Sequence, residues 1–325
     1  MIGSTLAKPL SAGDRDGWAT WKARFLTDDG RVVDHLQDQA SHSEGQGYGL
    51  LLAQAYGDRA AFEAIEDWTQ RHLLIRDDPL MAWRWRPDVP DRGADWHTAT
   101  DGDLFRAWAL MRAEVFSGWA GTGAAAGAIA ASIKTLCLAR DPRTQGEPVL
   151  MPSAETPRSE AEVLFNPSYV MPRALRELGA FTGETDLARA ADHGETLLAE
   201  LAGAGPVPVW VLITKGGYSP APPYSDAQGY DALRVGLYLM WSDRPHHPAV
   251  ARQAGYYDDG ASAPVVVSPG GEVRTRSTYP GYLALADLVR CRPARPAASQ
   301  DEPYYPATLG LLTAVARREG ATCSI

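Results

Sequence analysis

What this chain lacks narrows its function first. No run of lysine and arginine stands out among its 325 residues, and the formal net charge is -9. A surface that tracks a phosphate backbone needs clustered positive charge, so nucleic acid is not an expected partner. No apolar run reaches the roughly 20 residues that a membrane helix needs. Cysteines are scarce: Cys137, Cys291 and Cys323 are odd in number and far apart. They fit no metal spacing and allow at most one disulfide. The seven histidines form no ligand motif, and His246-His247 lies between Pro245 and Pro248, a loop context. No metal and no cofactor is expected, so any catalysis uses side chains alone. The opening MIGSTLAKPLSAGDRDG has no apolar core of signal-peptide length. That fits a cytosolic protein, or one from which a signal has been removed.

Strand signals are few as well. Pro206–Thr214 is one, and Pro264–Val267 and Val273–Arg276 flank a hairpin turn at Ser268-Pro269-Gly270-Gly271. Without βαβ alternation a doubly wound sheet is excluded. What is present is helical periodicity. Eleven segments carry it, from Gly17–Leu26 to Tyr305–Arg317, with Pro167–Leu178 and Tyr230–Trp241 among them. Leu104, Trp108, Met111 and Val115 follow one apolar stripe, and Ala61, Ile65, Trp68 and His72 another. No break in composition marks a boundary, so residues 1–325 are expected to form one domain. Paired antiparallel helices in a ring or bundle, with small β insertions, is the physical expectation.

Three features point to a site. First, Ser43-Glu44-Gly45-Gln46-Gly47-Tyr48-Gly49 reads as a helix start with Ser43 and Gln46 spaced as a capping box. Yet it spends three glycines there, each costing about 1 kcal/mol relative to alanine inside a helix. Either small residues serve close helix packing, or a ligand approaches the backbone beside Glu44. Second, residues 74–98 form a linker too long for a helix–helix turn, and it holds Trp83, Trp85 and Trp96. An ordered loop with such rings suits stacking on sugar faces; the competing reading is a loop folded on its own aromatic cluster. Third, Glu44, Asp101, Asp103 and Asp231 each sit at or near an expected helix start. Singly, each is simply an acid favoured by the helix dipole. If alternate helix N-termini share one face of a ring, however, Glu44, Asp101 and Asp231 converge on one cleft. Convergent carboxylates beside aromatic platforms are the equipment of a glycosidase.

The motifs SEGQGYGLLLA (43–53), ATDGD (99–103), NPSY (166–169) and YDALR (230–234) resemble glycoside hydrolase family 8, in order and spacing, from residue 18 to about 318. The closest likeness is to the endoglucanases of bacterial cellulose-synthase operons, through GW..WK..F....GRVVD, SHSEGQGYG and YYPATLGLL. The resemblance implies an all-α (α/α)6 barrel of about twelve helices. It also implies inverting hydrolysis of a β-1,4-glucan such as cellulose or cello-oligosaccharides. Glu44 then matches the general acid and Asp231 the general base. Asp101 matches the acid at the cleavage point, assigned here to substrate distortion and electrostatics. Tyr169 would hold the attacking water or the sugar beside it, and Arg234 would orient the carboxylates. Tyr48, Asp103, Asn166 and Tyr230 join Trp83, Trp85 and Trp96 as expected substrate contacts, with Trp96 preferred because it lies five residues before Asp101. Leu50 stands where Met is common, and Val170-Met171 replaces an aromatic-Ala pair; neither touches the chemistry. A helix N-terminus lowers a carboxylate pKa, whereas a general acid needs it raised. Asp101 is therefore expected close to Glu44, to push it up. A monomeric periplasmic or secreted enzyme, with a cellulose synthase complex as a partner, completes the expectation. The alternatives are a family member acting on xylan, chitosan or mixed-linkage glucan, and a non-catalytic glucan-binding component of a secretion complex.

Overall fold

The computed structural model describes residues 9–89, 95–144, 146–258, 260–295 and 301–321. Among them are eleven α-helices: α1 Ala12–Phe25, α2 Ser43–Ala55, α3 Arg59–His72, α4 Thr100–Ser117, α5 Gly123–Leu136, α6 Pro172–Thr182, α7 Thr185–Ala204, α8 Leu233–Trp241, α9 Pro248–Ala254, α10 Pro280–Val289 and α11 Tyr304–Arg318. Each of the eleven periodic segments overlaps one.

Burial separates two kinds of helix. In α3, the buried Ala61, Ile65 and Trp68 form a single stripe, as a helix packed on one side requires. In α4, every residue from Thr100 to Ala113 is buried, so this helix is covered on all faces. The sequence stripe Leu104, Trp108 and Met111 is thus only part of its contact surface, and Val115 is 42% exposed. α2, α8 and α10 are similarly enclosed. The enclosed helices, together with α6 and α11, touch in a closed circuit. α2 packs on α4, α4 on α6, α6 on α8, α8 on α10 and α11, and α11 back on α2. The others lie against this ring: α3 on α2, α5 on α4 and α6, α7 on α6, α9 on α8 and α10, and α1 on α11. The described part of 290–303 holds no helix between α10 and α11.

Three helix starts differ from the sequence reading by three residues or more. α1 begins at Ala12, five residues before Gly17, behind a capping box of Ser11 and Asp14. Pro167–Tyr169 is a separate 3-10 turn, and α6 begins only at Pro172. Met171, preceding that proline, is extended (φ -109°, ψ 90°), as the proline ring demands of its neighbour. α8 begins at Leu233, not Tyr230, because the amides of Ala232 and Leu233 reach back only three residues, to the carbonyls of Gly229 and Tyr230.

Among the described residues, nine short strands decorate the loops. β1 (Ser41–His42) pairs antiparallel with β2 (Arg84–Trp85). This ties the 74–98 linker to the start of α2. β3 (Leu138–Arg140) pairs with β4 (Pro148–Leu150). β5 (Glu162–Phe165), β6 (Val211–Thr214) and β7 (Gly217–Ser219) form a three-stranded sheet. β8 (Ala263–Val267) and β9 (Val273–Ser277) are the anticipated hairpin. Cys137 is buried as a free thiol, and Cys291 is disulfide-bonded.

Candidate active site

The N-terminal ends of the ring helices open onto one cavity of about 650 Å³. α2 brings Glu44, α4 brings Asp101, and the turn before α6 brings Tyr169. The start of α8 brings Asp231 and Arg234, while α10 and α11 bring Tyr282 and Tyr305. The three carboxylates picked out from the sequence therefore line a single cavity.

The start of α2 is not the capping box that its spacing suggested. His42 is the N-cap and makes no side-chain cap bond; Ser43 is the first helical residue. The Ser43 amide instead donates to the Trp83 carbonyl at 2.8 Å, an extension of the β1–β2 pairing. The Gln46 side chain turns away from the helix start. Its Oε1 accepts from the Val32 amide at 2.7 Å, and its Nε2 donates to Thr69 Oγ1 at 2.9 Å. Gly47 and Gly49 serve packing by protein, whereas Gly45 lines the cavity. A Cβ on Gly47 would lie 2.9 Å from the Gly102 carbonyl oxygen, and one on Gly102 would lie 2.5 Å from Ser43 Oγ and 2.7 Å from the Glu44 nitrogen. α2 and α4 thus meet backbone to backbone at their first turns. That contact sets Glu44 beside Asp101.

Arg234 joins the two. Its Nη1 donates to Glu44 Oε2, to Asp101 Oδ2 at 3.1 Å and to the Tyr48 hydroxyl at 3.1 Å. Its Nη2 donates to Ser168 Oγ at 2.8 Å and lies 3.8 Å from Asp231 Oδ1. Arg234 and Asp101 are each 1% exposed, whereas the Asp231 side chain is 45% exposed. Burial pushes the Glu44 carboxyl up to about 8. Arg234 opposes that rise, and Asp101 adds to it through its charge and a shared hydrogen bond. Burial also raises Asp101, but there the bond from Glu44 acts downward. The proton of the pair therefore resides on Glu44, and the charge on Asp101 faces Arg234. The expected proximity of Asp101 to Glu44 is present, although burial is the larger cause of the shift.

The remaining expected contacts divide. Tyr169, Tyr230 and Trp83 line the cavity. Trp83 stacks on His42 with centroids 5.6 Å apart, and burial lowers His42 to about 4. Tyr48 does not reach the cavity. It is wholly buried beneath Arg234, its hydroxyl 2.5 Å from that of Tyr238. Asp103 is also fully buried, and accepts from the Met81 amide at 2.8 Å. It anchors the linker rather than a ligand. Asn166 caps the 3-10 turn, accepting from the Ser168 amide at 3.0 Å and the Ser168 hydroxyl at 2.7 Å. Trp85 packs edge-on against Trp68, with centroids 5.6 Å apart, and with Arg31 over its ring. Its role is the folded-loop one. Trp96 is 46% exposed and stacks on His97, with Arg76 over its ring, outside the cavity lining. Residues 90–94 of the linker lie outside the described residues.

Sequence reasoning missed Ser168, Tyr238 and the wall formed by Tyr279, Tyr282, Tyr304 and Tyr305. The last pair had a usable signal: Tyr304-Tyr305 opens a helix directly after Pro303, as Glu44, Asp101 and Asp231 stand at helix starts. Among the described residues, no group of three or more histidine, cysteine or acidic side chains could hold a metal.

The family model for glycosyl hydrolases family 8 matches residues 1–259. An endoglucanase of Cellulomonas uda is 32% identical over 285 residues, covering 85% of this chain and 77% of that protein. A probable endoglucanase of Novacetimonas hansenii is 32% identical over 331 aligned positions, covering 96% of this chain and 93% of its own length. The solved structure of an endo-β-1,4-glucanase from an Achatina fulica gut metagenomic library superposes with a TM-score of 0.85 at 33% identity, covering 95% of this chain and 99% of that one.

Proposed function

The chain belongs to glycosyl hydrolases family 8 and is a glycoside hydrolase, and on that premise we propose that it is an endo-β-1,4-glucanase acting by inversion on internal bonds of a cellulose-like chain. One observation carries the reading. A single buried guanidinium is shared by Glu44 and Asp101, so that one positive charge serves two carboxyls and Glu44 keeps a proton beside Asp101. Glu44 gives that proton to the glycosidic oxygen as the bond to the anomeric carbon breaks. Asp231, solvent-accessible and three residues before Arg234, takes a proton from the water that attacks the opposite face of the ring. Asp101 remains ionised and faces the positive charge that develops on the sugar. The Tyr169 hydroxyl holds the water or the sugar beside it, and Tyr230 and Trp83 contact the chain.

The closed helix circuit supports an (α/α)6 barrel, and the absence of a compositional break supports one catalytic domain over residues 1–325. A disulfide at Cys291 fits an oxidising compartment, hence a periplasmic or secreted enzyme. The likeness to a Novacetimonas hansenii endoglucanase and the cellulose-operon motifs support a link to cellulose biosynthesis, with a monomer working beside a synthase complex. No helix of the described residues is long and apolar enough to cross a membrane.

The test is reducing-sugar release from carboxymethylcellulose, run beside xylan and chitosan, with the anomer of the first product followed by NMR. Release from carboxymethylcellulose with the α-anomer first is the expected result. Stronger release from xylan or chitosan would move the substrate assignment. A first product in the β-anomer would refute inversion and make Asp101 the candidate nucleophile. Binding without any release would leave a glucan-binding component.

A further inference from the structure

We propose that Trp210 and Tyr224 form an additional sugar platform outside the cavity, on its Tyr169 side, onto which a bound β-linked glucan chain continues. This rests on the endoglucanase reading above. Three rings step outward from the cavity wall. Tyr169 lines the cavity. Trp210 meets it edge-on, with centroids 6.4 Å apart and planes at 60°. Tyr224 stacks on Trp210, with centroids 4.5 Å apart and planes at 25°, and is 47% exposed.

The fold has little need of these rings. Trp210 immediately precedes β6, where Val211 and Ile213 are buried in the core; side chains alternate along a strand, so Trp210 lies on the other side and is half-buried. The loop that carries Tyr224 is fixed at its far end by backbone. The Val209 amide donates to the Ala227 carbonyl at 2.9 Å, and the Gln228 and Val267 amides and carbonyls bond reciprocally at 3.0 and 2.9 Å. Among the described residues the Tyr224 hydroxyl has no partner, and its neighbours Ser225 and Asp226 are exposed. A flat apolar face with the Tyr224 hydroxyl at its edge matches a neutral pyranose, which offers C–H groups on its faces and hydroxyls at its rim. Continuity with the cavity through Tyr169 makes the glucan, rather than another protein, the occupant.

The experiment compares wild type, Tyr224→Ala and Trp210→Ala on cello-oligosaccharides from trimer to hexamer, with melting temperature as the folding control. The gain in kcat/KM with chain length should fall about 3- to 10-fold in both variants, as the loss of one stacking contact implies, while the shortest cleaved substrate is unaffected. Wild-type chain-length dependence in Tyr224→Ala, with Trp210→Ala losing only stability, would overturn the platform and leave Trp210 as packing. If wild type cleaves none of these sugars, the endoglucanase reading fails by itself. Calorimetric titration with cellohexaose then decides the platform: weaker binding by Tyr224→Ala supports it, and equal binding overturns it.

Discussion

A Glu44→Gln substitution should make the enzyme inactive and, at neutral pH, more stable. The Glu44 carboxyl stands at about 8 in the folded chain, against its ordinary 4.5. At pH 7 about nine-tenths of the enzyme then holds the acid's proton, where an unshifted carboxyl would hold it in roughly one molecule in 300. The kcat/KM profile on a soluble glucan should therefore stay level to about pH 7 and fall about tenfold per pH unit beyond 8. Asp101→Asn removes a cause that raises Glu44, so its residual activity should fall off at lower pH than wild type. The same shift bears on folding. A folded pKa above the unfolded one favours the protonated form, so nothing is lost below about pH 4.5. Stability then declines as pH rises from 4.5 to 8 and is level above. By pH 7 the decline amounts to between about 3 and 4 kcal/mol at most, since each unit is worth about 1.4 kcal/mol. Glutamine carries no such burden, and Arg234 still has Asp101, Tyr48 and Ser168 as partners. Glu44→Gln should melt progressively above wild type as pH goes from 5 to 8, by about 6 °C at the upper end for a chain of this length. Its rate should drop at least about 10²-fold. A melting difference independent of pH, with a wild-type activity limb near pH 5, would refute both the shift and the role drawn from it.

The other predictions follow from packing. Gly102→Ala places a methyl against Ser43 Oγ and the Glu44 nitrogen, at the backbone contact of α2 and α4. Displacing Glu44 by a fraction of an ångström should cost about tenfold or more in kcat, with helical content by circular dichroism unchanged; wild-type kinetics would show that the contact yields without moving the acid. Trp83→Ala should lower kcat and raise KM on long cello-oligosaccharides, because Trp83 lines the cavity. Trp85→Ala, whose ring packs on Trp68, should instead lower the melting temperature and leave kinetics unchanged; the reverse pattern would exchange the two roles.

Helix periods carried most of the fold, because a 3.6-residue apolar repeat survives whatever the helix packs against. The shared face of the helix N-termini follows from pairing antiparallel helices, and so the three carboxylates group together from the sequence alone. What sequence could not resolve was depth. Asp101 and Asp103 are two positions apart on α4, about 200° around the axis, so one faces the cavity and the other the linker. Glu44 and Tyr48 share a face, but Tyr48 is one turn further down, beneath Arg234. Asn166 and Tyr169 stand in one motif, yet only the tyrosine reaches the cavity, because the asparagine is occupied in capping the turn. The Ser43 cap failed for a tertiary reason: the β1–β2 pairing takes up the Ser43 amide, and Gly102 packs against its hydroxyl.

Counting charges explains why the protonated acid is Glu44. Buried ions are tolerated in pairs, and an unpaired one is costly. Arg234 supplies one positive charge to two enclosed carboxyls, so the site is neutral only if one of them keeps a proton. Asp101 is the better anion. It accepts from the Gly102 amide at 2.9 Å as well as from Arg234, at the amide-rich start of α4. For Glu44, beside Ser43 and Gly45 at the opening of α2, desolvation outweighs both the helix end and its share of Arg234. The helix dipole therefore does not decide the acid's pKa, although it acts on both carboxyls. The decision lies in having one guanidinium for two carboxyls; Ser168 holds that guanidinium through Nη2, and Tyr48 shares Nη1 with Glu44 and Asp101. Asp231 escapes the constraint because water reaches it, which is also what a group that must activate water requires.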